Sequence, residues 1–143
     1  MAHPHIPVKE FMVRNVVTVD SSTPVREVAK TMYVNKVSSV IVLEDNRPVG
    51  ILTNRDIVNS IGPFDYSFTS KVKEIMSQPL IHVHPNESIL DVAEIMTSKN
   101  IHKLPIIVND EILGIISSSD LVVIFTMISN EDLVKIFKPY LQK

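Results

Sequence analysis

The chain contains two copies of one sequence pattern, and this internal repeat limits its possible folds more than any other feature. Shifting the 143-residue sequence by 64 positions places VKEIM, which begins at Val72, on VKEFM, which begins at Val8. The chain has three glycines, and two of them, Gly50 and Gly114, fall on each other in this alignment. Such a repeat indicates one supersecondary unit used twice. The predicted segments are a first repeat over 8–61, a linker over 62–71, a second repeat over 72–125 and a helical tail over 129–143.

Both repeats show the same order of predicted elements: strand, helix, strand, strand, helix. First strands are predicted over 16–19 and 80–83, and Thr23 is predicted to cap the first long helix with Pro24 at its first position. Hairpin strands follow over 40–43 with 49–52 and over 104–108 with 112–116, and a final helix follows each of Asp56 and Asp120. The predicted fold class is therefore α/β (α+β), with two β-α-β-β-α repeats. Because a copy of about 55 residues is marginal alone, we expect the two sheets to pack into a common core.

Composition excludes several classes of function. The 14 Lys and Arg against 16 Asp and Glu give a net charge of −2, which argues against a nucleic-acid partner. The lack of cysteine excludes disulfides, a thiolate nucleophile and a cysteine zinc site, and makes the cytoplasm the expected location. The longest apolar stretch, 121–128, is far shorter than the roughly 18 residues of a membrane span, and the N-terminal segment lacks the features of a secretion signal.

The segments GILTNRD, ending at Asp56, and GIISSSD, ending at Asp120, are the strongest candidates for a site. In each, a strand leads to a hydroxyl residue, Thr53 or Ser117, and an aspartate follows three positions later. One interpretation is a helix capping box, in which hydroxyl and carboxylate satisfy backbone N–H groups. The other is a ligand site, because a carboxylate at a strand end can accept hydrogen bonds from the vicinal diol of a ribose. Both interpretations remain open on these residues alone.

This duplicated pattern resembles a tandem pair of CBS (cystathionine-β-synthase) domains, the arrangement called a Bateman module, over about residues 8–125. The resemblance implies two repeats packed about a pseudo-twofold axis, with clefts between them for adenosine-containing ligands. AMP, ADP or ATP are the first candidates, followed by S-adenosylmethionine and NAD. It further implies a regulatory sensor without a cofactor of its own, a homodimer that acts on a separate protein in trans. The alternative is a dimeric scaffold whose clefts are vestigial or unoccupied.

The resemblance also implies particular binding residues. In one cleft Asp120 would hold the ribose, and the rest of the lining would be Ser117 and Ile115 with Val17, Val37 and Ser38 from the first repeat. In the other cleft Asp56 would hold the ribose, and the rest of the lining would be Thr53 and Ile51 with Ile81, Ile101 and His102 from the second repeat. Because a carboxylate repels phosphate, the phosphates should point toward the cationic candidates Lys103, His102 and Arg55.

Differences between the repeats predict unequal sites. Pro105 in the second repeat corresponds to Ile41 in the first, and His102-Lys103 corresponds to Ser38-Ser39. A cleft that contains Lys103 should favour a phosphorylated ligand, whereas a cleft flanked by serines should suit a neutral nucleoside or stay empty.

The remaining candidates are interpreted as structural. His82 and His84 would share one face of a strand, but no third ligand for a metal is identified, and no metal site is predicted. His3 and His5 lie in a proline-containing terminus and are expected to be flexible. Four methionines fall on equivalent, core-facing positions of the two repeats, Met12 with Met76 and Met32 with Met96, and are interpreted as core residues.

No catalytic residues are predicted. The chain has no cysteine, no glycine-rich phosphate loop and no histidine spaced as a base beside a nucleophile. The tail reads as an amphipathic helix that begins after Ser129 or Asn130 and ends before Pro139, and it packs either on the chain itself or in a dimer. The apolar run over 121–125 is a second candidate for the dimer contact.

Overall fold

The chain is a mixed α+β protein, as the sequence predicts. A computed structural model describes residues 5–61, 69–128, 130–131, 134–135 and 138, and within them five strands and four α-helices are found. The chain divides into two compact units. We call Asn15–Ile81 the Asp56 unit, and Met1–Arg14 together with His82–Lys143 the Asp120 unit.

The Asp56 unit contains a three-stranded sheet with two helices. Its elements are β1 (Thr18–Asp20), α1 (Val25–Asn35), β2 (Ser39–Glu44), β3 (Arg47–Thr53), α2 (Asn54–Ile61) and a 3-10 helix over Val72–Glu74. The strand order is β1-β2-β3, with β1 parallel and β3 antiparallel to β2. The buried cluster comprises Val28, Met32, Val40, Val42, Leu52 and Val72. Burial of one face of α1 against the hairpin therefore holds the β3–α2 turn in place.

The Asp120 unit has the same plan with a smaller sheet. Its elements are a 3-10 helix over Val8–Glu10, α3 (Ile89–Lys99), β4 (Lys103–Val108), β5 (Glu111–Ser117) and α4 (Ser118–Met127). Strands β4 and β5 are antiparallel. Its most buried apolar side chains include Val8, Val92, Leu104, Ile106 and Ile116, all at 0% exposure.

The first predicted strand of each repeat is the element in which sequence and structure differ most. The strand predicted over 16–19 forms at Thr18–Asp20, whereas the strand predicted over 80–83 is wrong, since only Val83 pairs, in an isolated bridge to Ile106. The reason is Pro105. Its counterpart Ile41 donates its N–H to the carbonyl of Val17 at 3.0 Å, and a proline has no N–H to donate.

The predicted cap of the first long helix is also wrong. Helix α1 begins at Val25, with Pro24 extended at the N-cap (φ −61°, ψ 143°) and no side chain bonded to the helix end. Thr23 is therefore one residue too early to cap. In the second repeat Ser88 stands at the position equivalent to Pro24, and its hydroxyl accepts from the Asp91 N–H at 3.1 Å.

The leading segment of each repeat belongs to the compact unit of the other repeat. Val8–Glu10 lies in the Asp120 unit, where the Val8 N–H donates to the Glu87 carbonyl at 2.7 Å. The matching Val72–Glu74 lies in the Asp56 unit, where the Val72 N–H donates to the Thr23 carbonyl at 2.8 Å.

Both repeated glycines lie where these segments dock, and the backbone contact is tighter at Gly114 than at Gly50. A Cβ at Gly114 would lie 2.8 Å from the Val13 carbonyl oxygen and 2.8 Å from Met12, and a Cβ at Gly50 would lie 2.5 Å from the Met76 sulfur. Because glycine has no Cβ, the backbones can approach closely enough to pair.

Parts of the linker and tail predictions lie outside the described residues, namely 62–68, 129, 132–133, 136–137 and 139–143. The described tail positions, including Glu131 and Lys135, are helical, and these two side chains form an ion pair at 3.7 Å. Among the helices of the described chain, none is long and apolar enough to cross a bilayer.

Candidate functional site

The Asp56 carboxylate lies at the turn from β3 into α2. Its Oδ2 accepts from the Thr53 N–H at 2.9 Å and from the Thr53 hydroxyl at 3.2 Å. In return the Thr53 hydroxyl oxygen accepts from the Asp56 N–H at 3.3 Å. Its Oδ1 accepts from the Ser77 hydroxyl at 3.1 Å. Asp56 is thus a half-buried carboxylate whose two oxygens both have protein partners.

The Asp120 carboxylate occupies the same place between β5 and α4. Its Oδ2 accepts from the Ser117 N–H at 2.9 Å, and the Ser117 hydroxyl accepts from the Asp120 N–H at 3.0 Å, which completes a capping box. Within the described part of the chain, no hydrogen bond reaches its Oδ1. The capping interpretation therefore describes the local geometry of Asp120, and it leaves one carboxylate oxygen for a ligand.

We call residues 53–56 of one unit and 117–120 of the other the aspartate turn of that unit. In each unit the first hairpin strand begins beside this turn. In the Asp56 unit the Ser38 carbonyl accepts from the Asn54 N–H at 3.1 Å, and in the Asp120 unit the His102 carbonyl accepts from the Ser118 N–H at 3.0 Å. His102 Nδ1 also lies 3.3 Å from the Ser118 hydroxyl. These contacts place the His102 side chain at the start of the helix that carries Asp120.

The cationic candidates are distributed unequally. Lys103 pairs with Ser117 in the β4–β5 register, so Lys103 and His102 belong to the same unit as Asp120. The corresponding pair in the Asp56 unit is Ser39 with Thr53. Arg55 follows Asn54 at the exposed start of α2, where its own N–H donates to the Asn54 side chain at 3.0 Å.

The predicted apolar lining residues are all half-buried, and each lies in one unit or the other: Val17, Val37, Ile51 and Ile81 in the Asp56 unit, and Ile101 and Ile115 in the Asp120 unit. Val17 and Val37 pack against the core of the Asp56 unit. The assignment of Val17, Val37 and Ser38 to the Asp120 site, and of Ile81, Ile101 and His102 to the Asp56 site, stays a prediction.

Ser77 is the residue that the sequence argument missed. It stands 64 positions after Val13, directly behind the repeated VKEIM and VKEFM segments. A hydroxyl at a position where the other repeat has an apolar side chain was the signal that could have identified it. In the structure it is the partner of Asp56 Oδ1.

Of the histidines outside the aspartate turns, His5 and His84 both contact the backbone of Asn86. Histidines His82 and His84 flank the bridge residue Val83, and His84 Nδ1 accepts from the Asn86 N–H at 3.1 Å. His5 Nε2 lies 3.0 Å from the Asn86 carbonyl oxygen, and His3 lies outside the described residues. Among the residues that the structure describes, no three His, Cys, Asp or Glu side chains are grouped to hold a metal.

A separate apolar depression of about 610 Å³ lies on the helical side of the Asp56 unit. It is lined by Ala29, Met32, Tyr33, Val34, Lys36, Val37, Asn54 and Ile57. Tyr33 on its rim is 85% exposed. One of its lining residues, Val37, was also predicted to line the Asp120 site, but neither Asp56 nor Asp120 is among the lining residues.

Comparison with known proteins identifies the repeated unit. The family model described as the CBS domain matches residues 8–62 and 72–126. The CBS domain-containing protein YhcV of Bacillus subtilis is 32% identical over 124 residues, which are 87% of this chain and 87% of YhcV. Protein MJ1232 of Methanocaldococcus jannaschii is also 32% identical over 124 residues, and the chain spans only 40% of its length.

The fold is similar to a solved CBS domain pair with bound ligands. The crystal structure of the CBS domain pair of protein MJ0100, in complex with 5′-methylthioadenosine and S-adenosyl-L-methionine, matches with a TM-score of 0.79 at 25% identity. The match covers 87% of this chain and 98% of that one. Both ligands of that protein contain adenosine, and therefore a ribose with a vicinal diol.

Proposed function

Since the chain belongs to the CBS domain family, whose paired domains form regulatory ligand-binding modules, we propose that it senses an adenosine-containing ligand through Asp56 and Asp120. AMP, ADP and ATP are the first candidates, and S-adenosylmethionine and NAD are the others. The proposal keeps the sequence-based prediction that apolar residues of the opposite repeat line the base side of each site. It moves His102 to the Asp120 site and Ser38 to the Asp56 site, because each lies beside the aspartate of its own unit.

The observation that carries the proposal is the position of Asp120. Its Oδ2 is held by the Ser117 N–H at 2.9 Å, which fixes the orientation of the carboxylate at the strand end. A carboxylate has about four acceptor positions, so two ribose hydroxyls can bind to the remaining ones without displacing the cap. Because the backbone already holds the carboxylate in place, less conformational entropy is lost when a diol binds to it.

Charge supports a phosphorylated ligand at the Asp120 site. Lys103 and His102 lie in the same unit and beside the same turn, as described above. A ligand with its ribose on Asp120 would direct its phosphate away from the carboxylate and toward these side chains. The Asp56 unit has serines at the equivalent positions, which supports a weaker or neutral ligand there.

The test is thermal unfolding with AMP, ADP, ATP, NAD and S-adenosylmethionine in turn. A ligand at about one hundred times its Kd should stabilise the folded chain by roughly 2.7 kcal/mol per site. For a chain of this size this is a rise in Tm of roughly 5–10 °C. Asp120→Asn should remove the shift from the Asp120 site while leaving the acceptor oxygen that the cap uses.

A matched control separates ligand binding from a general charge effect. Asp91 also lies in the first turn of a helix, but that helix does not follow a strand-end motif. Asp91→Asn should leave the ligand-induced shift unchanged. If no candidate ligand raises the Tm of the native chain, the sensor proposal is wrong and the scaffold alternative gains support.

A regulatory role without catalysis is part of the proposal. The described aspartates engage backbone and hydroxyl groups in capping geometry, which supports binding rather than proton transfer. Incubation with ATP followed by chromatography of the nucleotide measures this directly. We expect the ligand to be recovered intact, and turnover would contradict the proposal. A cytoplasmic location and a regulated partner in trans belong to the same proposal.

Self-association through α4 completes the proposal. Leu121 and Ile124 are buried, but Val122, Val123 and Met127 are 64%, 55% and 71% exposed. A homodimer would cover these apolar side chains. Light scattering on the native chain should give the mass of a dimer, and Val122→Lys should shift it toward the monomer. A native chain that stays monomeric at high concentration would contradict this part.

A further inference from the structure

We infer that Ser77 makes the two predicted ligand sites unequal, because its hydroxyl occupies the Asp56 carboxylate at a point where Asp120 remains open. This inference rests on the proposed function and deepens it. Asp56 accepts hydrogen bonds from the Thr53 N–H, the Thr53 hydroxyl and the Ser77 hydroxyl. Asp120 accepts one, from the Ser117 N–H, within the described residues.

The hydrogen bond to Asp56 Oδ1 comes from one side chain on an equivalent backbone pairing, while the further bond to Oδ2 comes from the Thr53 hydroxyl, whose counterpart is Ser117. Ser77 and Ile51 exchange backbone hydrogen bonds at 2.8 and 3.1 Å, and Val13 and Ile115 do the same at 2.8 and 2.9 Å. Positions 77 and 13 are equivalent in the repeat. The backbone therefore presents residue 77 to Asp56 as it presents residue 13 to the Asp120 turn, and only the serine side chain can donate to a carboxylate.

Counting acceptor positions gives the consequence for a diol. Of about four lone-pair positions on a carboxylate, the three hydrogen bonds of Asp56 leave roughly one, whereas Asp120 retains roughly three. A vicinal diol that donates both of its hydrogens needs two. It can bind Asp120 directly, but at Asp56 it must first displace a hydroxyl, and the Ser77 hydroxyl is the one that holds Oδ1, the oxygen that the cap does not use.

The expected size of the effect is set by that displaced hydrogen bond. A hydrogen bond to a charged group contributes enough to change an equilibrium constant by about tenfold or more. Ser77 is exposed, so its released hydroxyl regains hydrogen bonds to water and the net effect is at the lower end. We expect the Asp56 site of the native chain to bind diol ligands about tenfold more weakly than the same site in a chain that lacks the Ser77 hydroxyl.

Reciprocal exchange of the two side chains tests the inference. In an Asp120→Asn background, where only the Asp56 site remains, Ser77→Val should tighten AMP binding about tenfold by isothermal titration calorimetry. Ser77→Ala should act in the same direction, which excludes an effect of valine's bulk. In an Asp56→Asn background, Val13→Ser should weaken AMP binding to Asp120 to a similar extent. S-adenosylmethionine serves as a second diol probe with a different group at the 5′ position.

The possible outcomes separate the inference from the proposed function. Binding that depends on the aspartates but is unchanged or weakened by Ser77→Val and Ser77→Ala would overturn the inference, since the serine would then be neutral or a ligand contact itself. No binding of either probe to the native chain would overturn the proposed function and the inference together. A tightening at Asp56 matched by a weakening at Asp120 is the result that supports it.

Discussion

Replacing Gly114 with alanine should cost more stability than replacing Gly50, although both glycines stand at the same place in the repeat. The added Cβ at Gly114 meets the Val13 carbonyl oxygen and the Met12 side chain, all at 2.8 Å. At Gly50 the backbone contact, to the Ser77 carbonyl oxygen, is longer at 3.0 Å, and the shortest contact, 2.5 Å, is to the Met76 sulfur.

The magnitude follows from which of these atoms can move. A methionine side chain rotates away at little cost, so the sulfur contact at Gly50 is relieved. The Val13 carbonyl accepts from the Ile115 N–H at 2.9 Å, and moving it breaks this pairing. Overpacking of this kind costs about 1–3 kcal/mol, and the lower entropy of an unfolded chain with alanine returns about 0.4–1 kcal/mol. Gly114→Ala should therefore lose about 1–2 kcal/mol and Gly50→Ala less than about 1 kcal/mol.

Urea unfolding followed by circular dichroism measures both variants under identical conditions. The midpoint should fall in the order native, Gly50→Ala, Gly114→Ala, with the slope m unchanged because the same surface is exposed on unfolding. On heating, the Tm of Gly114→Ala should be lower by roughly 3–6 °C. Equal stability of Gly114→Ala and the native chain would refute the claim that the docked segment forbids a side chain there.

Four further substitutions test local features of the fold. Ser88→Ala removes the hydroxyl that accepts from the N–H of the third residue of α3, and should cost about 1 kcal/mol in urea unfolding. Lys36→Gly should stabilise the chain by about 1 kcal/mol, because the φ of Lys36 is 55° and glycine adopts this left-handed conformation without strain. Asn100→Gly, at φ 52°, should stabilise it less, because asparagine tolerates this conformation. Equal stabilisation by the two substitutions would contradict this reasoning. The pKa of Asp20 is lowered below 3.8, chiefly by the hydrogen bond from the Ser22 hydroxyl and then by that from the Ser22 N–H. Ser22→Ala should raise that pKa toward its ordinary value in an NMR titration. Because a lowered carboxyl pKa stabilises the fold at pH values above the unfolded pKa, the variant should be less stable than the native chain at neutral pH, and the difference should disappear as the pH falls into the acid range.

The sequence predicts the hairpins well because their determinants are local. Each hairpin turns on two residues with positive φ, Asp45-Asn46 and Asn109-Asp110. Asparagine and aspartate tolerate this conformation better than other non-glycine residues, so the polar pairs between apolar runs mark the turns. The register of β2 with β3 and of β4 with β5 follows from these turns, and with it the position of each aspartate turn.

Features that depend on distant residues were harder to predict. The missing strand over 80–83 depends on Pro105, more than twenty positions away, and periodicity within the segment carries no sign of it. The contact between Ser77 and Asp56 depends on docking of a segment beyond the linker. A strand signal or a capping motif reports on neighbours in sequence, whereas these contacts are set by tertiary pairing.

The leading segment of each repeat lies in the compact unit of the other repeat, and this placement should make the two units fold at different rates. All of the Asp56 unit lies within one continuous stretch, Asn15–Ile81. The Asp120 unit must join Val13 to Ile115 across the whole of that stretch, and closing so long a loop carries a larger entropic penalty. During synthesis the residues of the Asp56 unit are all available long before Ile115 emerges. Val13 is thus synthesised about a hundred residues before its partner Ile115, and high contact order of this kind slows folding.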